Sequence, residues 1–293
     1  MQFFIQLALG GLMVGAIYAL LGMGYSLIYR ASGLLTFAQG DYFMLGAFLT
    51  FTFSVPLGLP FYVVLPLVGA LMLGLGFLTE RVLIGPLIAR GSGPIHIVLA
   101  TIGLSIFLQN MAMIIWGSQG FHVPSVMGDM PVKFGDIYIV PQNLAIVFIT
   151  LGIMVALHVF MNKSKIGTAL RAAAQDKMAA ATLGINVVLA IGLTWGISVG
   201  LAGIAGLLIA PIFGVTAHMG LLVGLKGFAA AVVGGYGSIY GAVVGGFLVG
   251  LIEALSSGYV DSSFKDVIVF GVLLLVLFVR PEGLLPSPAL EDL

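Results

Sequence analysis

Apolar runs recur along this chain at residues 5–28, 38–54, 61–79, 95–116, 141–161, 187–210, 222–252 and 264–280, separated by connectors rich in charge, proline or glycine. A helix needs about 20 apolar residues to cross roughly 30 Å of hydrocarbon. A soluble core could not bury this many runs in a 293-residue chain that is 60% hydrophobic and 8% charged. The pattern predicts an all-α, polytopic membrane helix bundle of about eight membrane segments, forming a single domain over residues 1–293. Eleven basic residues balance eleven acidic ones, which argues against nucleic acid as a partner. Residues 3–29 carry neither a basic leader nor a small-residue cleavage pattern, so they read as the first membrane helix.

Basic residues favour the cytoplasmic side. Arg30, then Arg81 and Arg90, then Lys163, Lys165, Arg171 and Lys177 follow the first, third and fifth runs, which puts the N-terminus outside. Eight complete crossings would leave the C-terminus outside too, although Arg280 follows the last run. The glycine-rich run 222–252 contains the breaker "GGYGS", Gly234 to Ser238, and a re-entrant pair of half-helices there would remove the conflict. No clean internal repeat is visible. Small residues spaced by four, such as Gly11 and Gly15 or Gly246 and Gly250, read as helix-packing positions.

Polar residues within apolar runs are the candidates for a substrate path. Thr101, Ser105 and Gln109 recur every four residues on one face of the fourth run, where they can line a path or tie the helix to a neighbour. Gly235, Gly237 and Ser238 would offer exposed backbone groups at half-helix ends. Lys226 and Glu253, flanking the glycine-rich run, can pair with each other or reach towards headgroups. Gln39 and Asp41 lie in "TFAQGDYFMLGAF". On an unbroken helix from Arg30, Asp41 would sit about 16 Å deep, which is costly for a charge. The chain is therefore expected to run non-helically from about Gly33 to Gly40, with a helix beginning near Asp41 and the carboxylate at its positive end. The histidines His96, His122, His158 and His218 have no metal-ligand spacing, and no nucleophile elbow or phosphate loop is present. Enzymatic chemistry, metal binding and ATP hydrolysis by this chain are not expected.

The longest polar connector, "KSKIGTALRAAAQDKMAAATLGINV", is alanine-rich over Thr168–Leu183 and predicts one cytoplasmic helix about 24 Å long. Gly184 is placed to end it and Asn186 to cap the next membrane helix. Its small face, Ala172, Ala173, Ala179 and Ala180, suits docking in another protein's groove, with Arg171, Asp176 and Lys177 setting register. A surface helix lying at the membrane interface fits the same composition.

This segment resembles the coupling segment of permease subunits in bacterial ABC importers, in particular the LivH-type branched-chain amino acid permeases. The resemblance continues through "GAIYALLGMGYSLIYRASGLLTFAQGDYFMLGAF", "LATIGLSIFLQN", "GLKGFAAAVVGGYGSIYGAVVGGFLVGLIEAL" and "VLFVRPEGLL", collinear over nearly the whole chain. It implies a multi-pass protein of the bacterial inner membrane that pairs with a second related permease, two cytoplasmic ATPases and a periplasmic binding protein. ATP and magnesium would belong to the ATPases, with no cofactor on this chain. The coupling helix would span about 166–184, with Gly167, Arg171, Ala172, Ala173, Asp176, Ala180 and Gly184 docking on an ATPase. Permeases for urea or short amides are similar enough to remain alternatives, as does a self-sufficient channel or secondary transporter, for which the coupling helix would be superfluous.

Overall fold

The computed structural model describes residues 2–125, 132–134 and 137–285. Among them the chain forms α1 (Gln2–Ser32), α2 (Gln39–Ser54), α3 (Phe61–Thr79), α4 (Gly85–Ala89), α5 (Pro94–Trp116), α6 (Pro141–Lys163), α7 (Lys165–Gln175), α8 (Lys177–Thr182), α9 (Val187–Phe213), α10 (Met219–Gly234), α11 (Ile239–Tyr259) and α12 (Lys265–Val279). A π-helical stretch, Glu80–Ile84, joins α3 to α4. One short antiparallel pair, β1 (Val132–Phe134) and β2 (Ile137–Ile139), lies in the connector after α5. Seven helical stretches are long and apolar enough to cross a membrane: Gln2–Ser32, Phe61–Ala89, Pro94–Trp116, Pro141–Lys163, Val187–Phe213, Ile239–Tyr259 and Ser262–Val279. Helices α2 and α10 have 16 residues each, about 24 Å of helix, and fall short of a full crossing on their own.

Those two short helices expose an internal duplication that residue patterns did not suggest. Helices α1, α2 and α3 correspond to α9, α10 and α11 at a shift of about 180 residues, so that Thr36 and Gly40 match Thr216 and Gly220. In each copy a long helix ends at a glycine with positive φ, +74° at Gly33 and +73° at Gly214, followed by a non-helical connector and a short helix. The contacts repeat as well. Helix α2 packs on α9 where Gly46 meets Gly203, and α10 packs on α1 where Gly227 meets Leu21. Helix α3 lies along α9 through Leu73 and Gly196, and α11 lies along α1 through Gly15 and Gly250. Helices α1 and α9 are antiparallel, with Ser198 Oγ donating to the Gly24 carbonyl at 2.8 Å. The two copies are therefore inverted relative to one another, the arrangement of many transporters with broken helices.

The glycine-rich run divides at the expected breaker, but unequally. Helix α11 is long enough to cross, and it follows α1 from Ala19 back to Leu7, while α10 starts inside the bundle. The breaker lies at the end that carries Arg30 and Arg171: Tyr29 and Tyr236 meet edge to face at 4.6 Å, and Leu284 and Leu285 donate backbone hydrogen bonds to Val233 and Gly234. The opposite end holds the N-terminus, where Phe3 meets Tyr259. N-terminus and C-terminal segment thus lie at opposite ends, and the parity conflict disappears without a re-entrant pair, because each extended connector and its short helix together make one pass. By the positive-inside rule the Arg30 end is cytoplasmic.

Buried residues concentrate on α1, α2 and α9, where Trp195, Tyr42 and Phe43 are fully enclosed. Helices α5 and α12 turn large apolar side chains outward, and Phe278 is 92% exposed, as expected of a lipid-facing surface. Near the N-terminal end a charged cluster joins three helices. Lys226 Nζ of α10 lies 2.6 Å from Glu253 Oε1 of α11 and 2.6 Å from Asp266 Oδ1 of α12, and Tyr18 donates to Glu253 Oε2 at 2.6 Å.

Candidate substrate site

The N-termini of α2 and α10 meet inside the bundle. Gly40 and Gly220 approach so closely that a Cβ at either would run into the other's carbonyl, and a Cβ on Gly224 would lie 2.8 Å from Gly40 Cα. Only glycine permits this backbone contact. Gly40→Val is therefore expected to force α2 and α10 apart, with a large loss of monodisperse protein on size-exclusion chromatography in detergent. Retention of the parent elution profile would refute this reading of the junction.

Beside the junction lies a cavity of about 130 Å³. One wall carries Asp41 in the first turn of α2, and Ser105 of α5 lines the cavity with it. Phe37, Ile102, Leu221, Leu225 and Phe228 supply apolar walls, and Gly220 brings the first turn of α10 to the cavity edge. Both short helices point their N-termini, with unsatisfied N–H groups and the positive end of the helix dipole, at this place. As expected, the chain is non-helical between Gly33 and Ala38, and α2 starts at Gln39.

Helix α5 crosses both breaks. At its lower level Thr101 Oγ1 accepts from the Phe37 N–H at 3.2 Å, fixing the first connector. About 12 Å further along, Gln109 Nε2 donates to the Ala217 carbonyl at 3.3 Å and contacts His218 Nδ1 at 2.8 Å, fixing the second. Of the Thr101, Ser105 and Gln109 stripe, Ser105 alone lines the cavity.

The other anticipated path residues lie elsewhere. Gln39 faces away, donating to the Ser198 carbonyl at 3.0 Å and tying α2 to α9. Gly235, Gly237 and Ser238 form the turn at the Arg30 end, where Gly235 packs against Gly283 and Leu285, and Ser238 caps α11 by accepting from Gly241 N–H at 3.1 Å. "GGYGS" announces a chain reversal but not its depth, and the reversal falls outside the bundle centre. Tyr25, Phe37, Gly220, Gly224 and Phe228 were missed; the signal that points to them is the recurrence of Thr-x-x-x-Gly at Thr36 and Thr216.

The segment after α6 also differs from the single helix expected. It breaks at Asp176, where φ is −148°, into α7 and α8, and the Asp176 carboxylate caps α8 by accepting from Met178 and Ala179 N–H at 2.8 and 3.0 Å. Gly184 takes a positive φ of +81°, and Asn186 caps α9 through Leu189 N–H, both as expected. Gly167, Ala173 and Ala180 turn inward against the bundle, Gly167 so closely that a Cβ would meet Phe160. Arg171 and Ala172 are half-buried. The face left outward carries Met178 and Leu183, each 79% exposed, beside Asp176, Lys177 and Gly184. Among the described residues no group of histidine, cysteine and carboxylate side chains has the arrangement of a metal site.

Two inverted copies of a three-helix unit, with broken helices converging on a small, largely apolar cavity that holds one carboxylate, define a multi-pass membrane transport protein. The chain belongs to the family described as branched-chain amino acid transport system / permease component, whose model matches residues 7–277. It is 36% identical to the Escherichia coli K12 high-affinity branched-chain amino acid transport system permease protein LivH, over 99% of this chain and 97% of that protein. It is 35% identical to the corresponding BraD permease of Pseudomonas aeruginosa, over 98% and 97% of the two chains. A more distant relative is the LivM permease of Salmonella typhimurium, 25% identical over 92% of this chain and 68% of that one. No solved structure matches the chain significantly. Its role is that of a transport component rather than an enzyme.

Proposed function

We propose that this chain is the membrane-spanning permease subunit of an ATP-driven ABC importer that carries branched-chain amino acids across the bacterial inner membrane. The observation that carries the substrate reading is the cavity at the junction of α2 and α10. A zwitterionic amino acid needs an anion for its ammonium, donors for its carboxylate and an apolar wall for its side chain. Asp41, with Ser105, supplies the first, the α10 N-terminus at Gly220 the second, and Ile102, Leu221, Leu225 and Phe228 the third. Urea or a short amide would leave the apolar walls without a partner, so these alternatives fit less well.

The assembly is a second, LivM-like permease, two cytoplasmic ATPases that hold ATP and magnesium, and a periplasmic binding protein. Helices α7 and α8 are the coupling segment. The inward-facing Gly167, Ala173 and Ala180 bind it to its own bundle, and the exposed Met178 and Leu183 meet the ATPase. Closure of the ATPase pair would then move α8, and through α7 the ends of α1 and α9.

Reconstitution with co-purified partners tests this. ATP-dependent uptake of leucine, isoleucine and valine is expected, with no uptake of urea. Uptake without an ATPase would overturn the importer reading in favour of a self-sufficient transporter, and preference for urea would overturn the substrate. Met178→Glu with Leu183→Glu is expected to reduce ATPase co-purification about tenfold or more, as for loss of an apolar anchor, while the permease stays folded. Unchanged co-purification would remove α8 from the interface.

A further inference from the structure

A second cavity, of about 700 Å³, lies between α6 and α11 and is unrelated to the substrate site. Its body is apolar: Leu151, Val155 and Met161 from α6, Val243 and Val244 from α11. Its mouth is basic. Arg30 from the end of α1 and Arg171 from α7 both line it, beside His158 and Asn162. Among the described residues no carboxylate lies within ion-pair distance of either arginine, and the buried Nε of each lacks a hydrogen-bond partner. Arg171 is held, among the described residues, only by Asn162 Oδ1, at 3.0 Å from its Nη1. Two half-buried guanidinium groups facing one opening make an anion site that no carboxylate among the described residues compensates.

The dimensions identify the anion's carrier. From Met161 to Leu151 the groove follows α6 for about 15 Å, half of a roughly 30 Å hydrocarbon core. The groove therefore reaches from the headgroup level at the Arg30 end to the bilayer centre, the depth of one leaflet. Val155 and Val244, 61% and 43% exposed, open it sideways toward the membrane. A soluble phosphate would use the mouth and leave the slot empty, whereas a phospholipid uses both.

We infer that this groove binds an anionic phospholipid of the leaflet at the Arg30 end, with its phosphate bridged between Arg30 and Arg171 and one acyl chain lying between α6 and α11. The bridge would fasten α7 to α1 and so make the coupling segment sensitive to lipid composition. This does not depend on the substrate proposed for the α2–α10 cavity.

The test uses the full-length permease in mixed micelles, with phosphatidylglycerol, phosphatidylcholine or inorganic phosphate added, read by thermal unfolding and by native mass spectrometry of retained lipid. Phosphatidylglycerol is expected to raise the midpoint and to be retained about tenfold over phosphatidylcholine, which has the same phosphate but a choline cation that the two arginines repel. Arg30→Gln with Arg171→Gln should remove that preference. Val155→Trp, which fills the slot and spares the arginines, should remove retention of both lipids. Equal stabilisation by the two lipids, a full effect of inorganic phosphate alone, or a preference that survives the arginine pair would each overturn the inference. So would loss of bound phosphatidylglycerol when the second permease is present, since a protein would then cover the groove.

Discussion

Lys226→Ala is expected to cost about 2–3 kcal/mol of stability, the low side of a broken buried pair because Asp266 is partly exposed, since it leaves Glu253 and Asp266 with only Lys265, 4.0 Å from Glu253. Lys226 is almost completely enclosed, with 6% of its side chain exposed, and its ammonium lies 2.6 Å from an oxygen of each carboxylate. Removing one member of a buried ionic group is far more damaging than replacing the whole group. Lys226→Met combined with Glu253→Gln and Asp266→Asn should therefore recover most of the loss in a thermal unfolding series. If the single and triple variants unfold together below the wild type, carboxylates left without their cation are not the cause of the loss. Tyr18→Phe belongs in the same series, since its hydroxyl donates to the other oxygen of Glu253 and its effect should not add to that of Lys226→Ala.

The second large effect falls on transport. Asp41→Asn keeps the size of the side chain, but removes the charge expected to meet a substrate ammonium. A charge-assisted hydrogen bond of about 1.5–3 kcal/mol corresponds to roughly 10- to 100-fold, so the half-saturation concentration for leucine uptake should rise by that factor. Ser105→Ala should cause a smaller change in the same direction. Gln39→Ala is the contrasting control: its amide ties α2 to α9 through Ser198, so it should lower stability more than it changes substrate preference. Wild-type uptake by Asp41→Asn would remove Asp41 from the path.

Local chemistry is legible in the order of the residues. Gly184 ends a helix and Asn186 starts one because a positive φ and a side-chain cap are properties of one or two residues. The break before Asp41 follows from the cost of a carboxylate on an unbroken membrane helix, and Lys226 and Glu253 are recognisable as a candidate pair by their rarity in apolar runs. What stays hidden is long-range. Nothing near Gly40 announces that its neighbour is Gly220, and the duplicated units share little beyond helix lengths and a few glycines. The alanines between Thr168 and Leu183 conceal the break at Asp176, since helix propensity there outweighs any local cue except the capping carboxylate itself. Alanine spacing likewise cannot tell which face of that segment turns inward.

The inverted pairing has an energetic corollary. Helix α2 packs on α9 and α10 on α1, yet through unlike residues, Gly46 and Gly203 in one pair and Gly227 and Leu21 in the other. Exchanging the tilts of the two pairs would therefore not return the same molecule flipped across the membrane midplane, and the two arrangements differ in packing energy. In the importer proposed above, nucleotide hydrolysis would work against that built-in difference, and the direction of pumping would rest jointly on it and on the partners that grip each end.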